Sequence, residues 1–168
     1  MSATIVQLYQ SLYGRLAYTF RSLKQRNYRL YFFGQGISLI GTWMQRMAMS
    51  WLVYRLTGSA FSLGTTEFAA QFSAFLLTPI AGALLDRYDI RRALIITQIL
   101  AVLHSLVFAL LTWFEVIVFW HVIVLSVLLG LINAFDMPGR QSFTIDLVEH
   151  REDLSNAIAL NSTIFNLA

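Results

Sequence analysis

Four long apolar runs, separated by short charged or turn-rich segments, organise most of this chain. They cover about residues 30–54, 61–85, 93–113 and 116–134. A run of roughly 20 apolar residues is long enough to cross the hydrocarbon core of a bilayer as a helix. The pattern therefore predicts an all-α integral membrane protein with four membrane spans.

The two ends of the chain follow different patterns. Residues 1–29 repeat apolar side chains at three- and four-residue steps and carry five basic residues but no acidic one. This predicts an amphipathic helix in the headgroup layer, with a partly disordered basic tail as the alternative. The apolar pattern resumes over the 13 residues 156–168. Such a segment rises only about 20 Å, against roughly 30 Å of hydrocarbon core. We therefore expect an incomplete fifth span in a truncated or partial sequence.

Each predicted span has one apolar face and one face of small or polar residues. On the first span an apolar stripe, which we expect to face lipid, consists of Phe33, Ile37, Ile40, Met44, Met47 and Trp51. The second span has a small and polar stripe of Gly64, Glu67, Gln71, Ala74, Thr78 and Gly82. Small residues allow helices to approach closely, and polar side chains in lipid need partners or water.

The distribution of basic residues predicts the orientation. Ten of the twelve lysines and arginines lie in the N-terminal segment, in the loop after the second span and in the stretch 136–153. Of the other two, Arg55 follows the first span and Arg46 lies within it. Short cytoplasmic loops carry an excess of Lys and Arg. We therefore predict that the N-terminus and the loop at residues 86–92 are cytoplasmic.

Composition agrees with a membrane protein. Hydrophobic residues make up 57% of the chain, charged residues 12%, and the mean hydropathy is +0.62. A soluble domain of this size has about a quarter charged residues. The basic residues lie at span ends rather than on a soluble face, so we expect no nucleic-acid partner. Without cysteines, metal clusters or a nucleophile–base arrangement in the sequence, we expect no metal, no cofactor and no enzymatic activity.

The loop after the second span resembles the corresponding loop of the major facilitator superfamily, in which Gly, three residues and Asp-Arg precede a basic cluster. The matching residues are Gly82, Asp86, Arg87, Arg91 and Arg92. Asp89 and Ile90 replace the family's Gly and Arg, and the loss of this Arg affects the charge pairing between the loop and the fourth span. Residues 27–57, 133–148 and 151–166 resemble the drug and siderophore exporters around the enterobactin exporter and macrolide efflux proteins, the transmembrane secretion effectors.

This resemblance implies the N-terminal part of a twelve-span fold made of two six-helix halves. It also implies a secondary active transporter in the bacterial inner membrane. The expected activity is proton-coupled export (antiport) of small amphipathic molecules, such as drugs or a siderophore, by alternating access. The expected partners are the lipid bilayer, substrate, protons and the missing C-terminal part of the transporter. The alternative is a small four-span scaffold or subunit without transport activity.

Arg46 and Glu67 are the sharpest candidates for a functional pair. Both lie on polar faces in the outer half of neighbouring spans, at depths differing by about 3 Å. Charged residues deep in a span usually face a partner or a water-filled cavity. One hypothesis is that Glu67 binds a proton or a cationic substrate, with Arg46 adjusting its pKa. The other is a structural ion pair that fastens the outer gate.

Other polar residues in the spans are candidates for the substrate or proton pathway. His104 lies near the middle of the third span, where a packing role and a titrating role are both open. Gln35, Gln71 and Asn133 could contact substrate or join helices to each other. Since substrate sites in such transporters lie near the midplane, we expect the loop residues to act in cytoplasmic gating: Gly82, Asp86, Arg87, Arg91 and Arg92.

Overall fold

The computed structural model describes residues 25–147 together with 156, 158–160 and 162–163. The continuous described part contains four α-helices: α1, Arg26–Thr57; α2, Ala60–Leu85; α3, Ile90–Trp113; and α4, Phe119–Asp146. The first three helices cover residues 30–54, 61–85 and 93–113, where the first three spans are predicted. The predicted amphipathic segment before residue 25 lies outside the described residues. Of the predicted fifth span, Asn156 and residues 158–160 and 162–163 are helical.

The fourth helix differs from the prediction, because it does not end with the apolar run at Ala134. It continues through Pro138 to Asp146. The charges from Asp136 onward predict a cytoplasmic loop, yet Asp136 and Arg140 are four residues apart and form an ion pair on one face of the helix. At 1.5 Å per residue, α4 is about 42 Å long, which exceeds the roughly 30 Å of a hydrocarbon core.

Local backbone features explain where the helices end. After α1, Gly58 adopts a left-handed conformation (φ +60°) and its N–H donates to the Tyr54 carbonyl at 2.8 Å. Glu115, with φ +57°, turns the chain between α3 and α4. At the start of α3, the Asp89 carboxylate accepts from the Arg92 N–H at 2.9 Å, which is an N-cap.

Three helices in the described part of the chain, α2, α3 and α4, are long and apolar enough to cross a membrane. The first helix has the length, with 32 residues, but its polar residues lower its apolar character. A membrane crossing by α1 therefore stays a prediction. Its predicted lipid-facing stripe is exposed, since the six apolar side chains from Phe33 to Trp51 are between 57% and 73% exposed.

The described residues divide into two compact units. Residues 43–143 form one of them, and its apolar core consists of Met49, Leu52, Val53, Phe108, Ile117, Val122 and Leu125. The other contains the start of α1 and the residues from Thr144 onward, where Tyr28 packs with Phe32, Leu147 and Leu160. Burial, with a smaller contribution from Tyr31, raises the pKa of Tyr28 to about 12, so the phenol stays neutral at physiological pH.

Helices α2 and α4 lie very close together at Gly130. A Cβ atom at this position would overlap the Ala70 carbonyl oxygen and lie 3.0 Å from the Ser73 Cβ. Helices in a membrane gain association energy from van der Waals contact, which small residues permit. The absence of a side chain at Gly130 therefore sets the distance between these two helices.

Substituting Gly130→Ala should destabilise the protein by about 1–3 kcal/mol. The added methyl group overlaps the Ala70 backbone, and moving this backbone would strain α2. Unfolding of the purified chain in mixed detergent–SDS micelles measures the change. The matched control is Gly64→Ala on α2, where an added Cβ has nothing within 4 Å. Since alanine favours helix, this control should be neutral or slightly stabilising. Equal effects of the two substitutions would contradict the close contact.

Candidate functional site

A bidentate ion pair joins α1 to α2 within the unit 43–143. Arg46 donates from Nη2 to Glu67 Oε2 at 2.6 Å and from Nε to Oε1 at 3.3 Å. Two parallel hydrogen bonds of this kind fix both distance and orientation. The guanidinium carbon also lies 5.6 Å from the centre of the Trp43 ring, within the range of a cation–π contact. The structure thus brings together the two charged residues that the sequence placed at similar depth.

The ion pair lies on a face that stays open in the described part of the chain. The Arg46 and Glu67 side chains are 42% and 41% exposed. On α2 the same polar stripe continues through Gly64, Gln71 and Thr78, which are all exposed. A charged side chain facing lipid near the bilayer centre costs roughly 2.5–3.5 kcal/mol. If the helices span the bilayer, protein or water must therefore cover this face.

His104 is the centre of a second polar cluster, which links α1, α3 and α4. Its Nε2 lies 2.9 Å from the Leu125 carbonyl oxygen, and its Nδ1 lies 2.8 Å from Gln45 Nε2. Because a carbonyl only accepts, these contacts assign the proton to Nε2 and make Nδ1 an acceptor for the Gln45 amide. Ser105 donates to the other amide atom of Gln45 at 2.6 Å. The buried imidazole is therefore fully hydrogen-bonded in its neutral form.

The remaining pathway candidates are distributed over the fold. Gln71 is exposed on α2, and Asn133 is half-buried on α4. Gln35 is buried in the unit that contains the start of α1. The structure thus joins Arg46 to Glu67 and places His104 in a separate cluster.

The loop between α2 and α3 is a tight turn. Backbone donors from Asp86, Arg87 and Tyr88 bond the last carbonyls of α2 at 2.9–3.2 Å. Gly82 is half-buried, while Asp86, Arg87, Arg91 and Arg92 are exposed. The loop is shorter than predicted, because α3 begins at Ile90 and contains Arg91 and Arg92 in its first turn. Asp89, one of the two departures from the family pattern, serves as the cap of α3. The change from Gly to Asp at this position thus has a local structural role.

A largely buried charge cluster near the end of α4 was missed in the sequence. Asp136 accepts from Thr97 and Gln98 of α3 through Oδ1, at 2.9 and 3.0 Å, and from Arg140 through Oδ2 at 2.5 Å. The Arg140 and Asp136 side chains are only 11% and 13% exposed. The signal that could have found the pair is its four-residue spacing within a continuing helix. This carboxylate attaches α4 to α3.

The described residues contain no group of three or more His, Cys, Asp or Glu side chains that could hold a metal ion. The helices define a multi-pass membrane protein with a polar face on α1 and α2, and with two buried polar clusters that join its helices.

Comparison with known proteins assigns this membrane protein to a family. The profile of the transmembrane secretion effectors matches residues 17–168. The chain therefore belongs to the transmembrane secretion effector family of the major facilitator superfamily, which confirms the resemblance noted in the sequence. No solved structure matches the chain significantly.

Two curated relatives are longer than this chain. It is 30% identical over 139 residues to the staphyloferrin A transporter of Staphylococcus aureus, covering 82% of this chain and 35% of that protein. It is 24% identical over 133 residues to macrolide efflux protein A of Streptococcus pyogenes, covering 77% of this chain and 33% of that protein. The chain thus spans about a third of the length of these relatives.

The Asp136 cluster gives a stability prediction. Asp136→Asn removes the charge that pairs with the largely buried Arg140 guanidinium, so unfolding in mixed micelles should show a loss of about 3 kcal/mol. The control is Asp86→Asn, which removes the same charge from an exposed loop residue. It should change stability by less than about 0.5 kcal/mol. A loss for Asp136→Asn no larger than that of the control would show that the cluster does not stabilise the fold.

Proposed function

We propose that this chain takes part in secondary active transport, exporting small amphipathic molecules such as drugs or a siderophore in exchange for protons. The family and the two relatives, one named for a staphyloferrin and one for macrolide efflux, support an exporter of this kind. In the proposed orientation the N-terminus lies in the cytoplasm of a bacterial cell and the protein in the inner membrane. The excess of basic residues on one side supports this orientation.

The observation that carries the proposal is the half-exposed ion pair of Arg46 and Glu67. Charge balance explains why it suits proton coupling. With Glu67 ionised, the pair has no net charge. When Glu67 takes up a proton, its attraction for the Arg46 guanidinium weakens and the pair carries one positive charge. A site whose charge changes in this way favours one orientation of the transporter in each protonation state. We infer that Glu67 carries the coupling proton and that Arg46 positions it.

We infer a packing role for His104. Both ring nitrogens already have partners, on α1 and α4, in the neutral form. A proton added to Nδ1 would face the Gln45 amide nitrogen, which is itself a donor. Proton transport through this residue would therefore require the cluster that joins three helices to rearrange.

The test of the proton site is Glu67→Gln, which keeps the shape of the side chain and removes its titration. We expect export to lose its pH dependence and its sensitivity to an uncoupler, because the site no longer exchanges a proton. The measurement is the accumulation of a fluorescent drug in cells expressing the protein, at several external pH values, with and without uncoupler. Glu115→Gln, in the turn between α3 and α4, is the matched control and should behave as the unaltered protein. Unchanged pH dependence of the Glu67→Gln variant would refute the proposal.

A double variant separates this role from a purely structural ion pair. If the pair only fastens the outer gate, replacing both charges with Arg46→Gln and Glu67→Gln leaves neither charge unpaired. Export by the double variant should then keep its normal pH dependence. If Glu67 carries the proton, the double variant stays insensitive to pH and to the uncoupler.

A further inference from the structure

An apolar groove of about 600 Å³ runs along α3 and α4 in the unit 43–143. From α3 it is lined by Ala93, Ile96, Leu100, Leu103 and Val107, and from α4 by apolar side chains between positions 125 and 135. The α3 residues follow each other at three- and four-residue steps, so they form one continuous face. From Ala93 to Val107 this face extends about 21 Å.

Two polar residues, Thr97 and His104, lie at the floor of the groove, and both already have hydrogen-bond partners. Each is 5% exposed. The Thr97 hydroxyl donates to both the Leu94 carbonyl and the Asp136 carboxylate. His104 is hydrogen-bonded to the Leu125 carbonyl and to the Gln45 side-chain amide. Neither residue requires a polar ligand. A molecule that fills this groove is therefore apolar along its whole length.

The basic residues at one end of the groove indicate which head group the apolar ligand carries. Arg92 is exposed and lies four residues, about one helical turn, before the groove-lining residue Ile96. Around the start of α3 the arginines Arg87, Arg91 and Arg92 outnumber the acids Asp86 and Asp89. The Asp89 carboxylate accepts the backbone N–H of Arg92, so it is engaged as a helix cap. The end of the groove is thus suited to an anionic head group on an apolar tail.

We propose that this groove binds a membrane phospholipid, with one acyl chain between α3 and α4 and the phosphate at the Arg92 guanidinium. A lipid tail reaches across half of the hydrocarbon core, about 15 Å, and the groove is long enough to hold it. In the proposed orientation the Arg92 end faces the cytoplasmic leaflet. The lipid holds α3 against α4 in the region between the His104 and Asp136 clusters.

The experiment uses the full chain reconstituted into liposomes that contain a trace of phosphatidylglycerol with a photoreactive diazirine in one acyl chain. After irradiation, mass spectrometry maps the labelled residues. The labels should concentrate on residues 93–107 and 125–135. Diacylglycerol with the same photoreactive chain lacks the phosphate and should label the groove several times less.

Two arginine variants test the head-group contact. Arg92→Gln should lower groove labelling by phosphatidylglycerol about fivefold, the effect of one basic residue near a phosphate. Arg91→Gln is the matched control, with the same loss of charge on a neighbouring exposed residue that points roughly 100° further around the helix. Its labelling should equal that of the unaltered chain.

Three results would overturn the proposal. The first is labelling of the exposed α1 stripe, Phe33–Trp51, as strong as that of the groove, which would indicate nonspecific contact with lipid. The second is equal labelling by diacylglycerol and phosphatidylglycerol. The third is a groove without label, which would mean that protein, such as another helix or a second copy of the chain, covers it.

Discussion

The inability of lipid to solvate polar groups is the constraint on which this structure depends. Hydroxyls within the helices bond their own backbone; Thr42, Ser73 and Thr78, for example, donate to the carbonyl four residues earlier at 2.7–3.0 Å. Larger polar groups cannot be satisfied in this way, and they find partners on neighbouring helices. Arg46 on α1 pairs with Glu67 on α2, Gln45 on α1 bonds His104 on α3, and Asp136 on α4 accepts from Thr97 on α3. Polar side chains in an apolar medium therefore specify which helices meet, while apolar packing around Gly130 sets how closely they meet.

The polar contacts differ in burial. His104 and Thr97 are buried, and the Arg140 and Asp136 side chains are only 11% and 13% exposed. These two clusters suit a fixed bundle in which α3 and α4 stay together. The Arg46–Glu67 pair is about 40% exposed and lies on a face that includes the exposed Gln71 and Thr78. This exposure leaves the pair open to water or to further protein, as the proposed proton exchange requires.

Much of the fold follows from the sequence, because apolar run length and helix-face periodicity are direct consequences of the bilayer. The bounds of α2 and α3, the exposed α1 stripe and the depth match of Arg46 with Glu67 were all predictable from residue spacing. The continuation of α4 was not, because the charges after Ala134 suggested a loop. Whether Asp136 is solvated or paired depends on Thr97 and Gln98, about 40 positions earlier. The partners of Gln45 and His104 depend in the same way on helix rotation, which residue spacing alone leaves undetermined.

The proposed proton site requires the polar stripe of α2 to face water rather than lipid. Since the chain lacks cysteine, single thiols at Gln71, Leu76 and Thr78 test it directly in the bacterial membrane. Leu76 is 55% exposed but lies on the apolar side of the helix, at a depth between the other two. A small water-soluble maleimide should modify Gln71→Cys and Thr78→Cys at least tenfold faster than Leu76→Cys, because maleimide reacts with the hydrated thiolate. Equal rates at all three positions, or fastest reaction at Leu76, would show that the polar stripe of α2 does not face water.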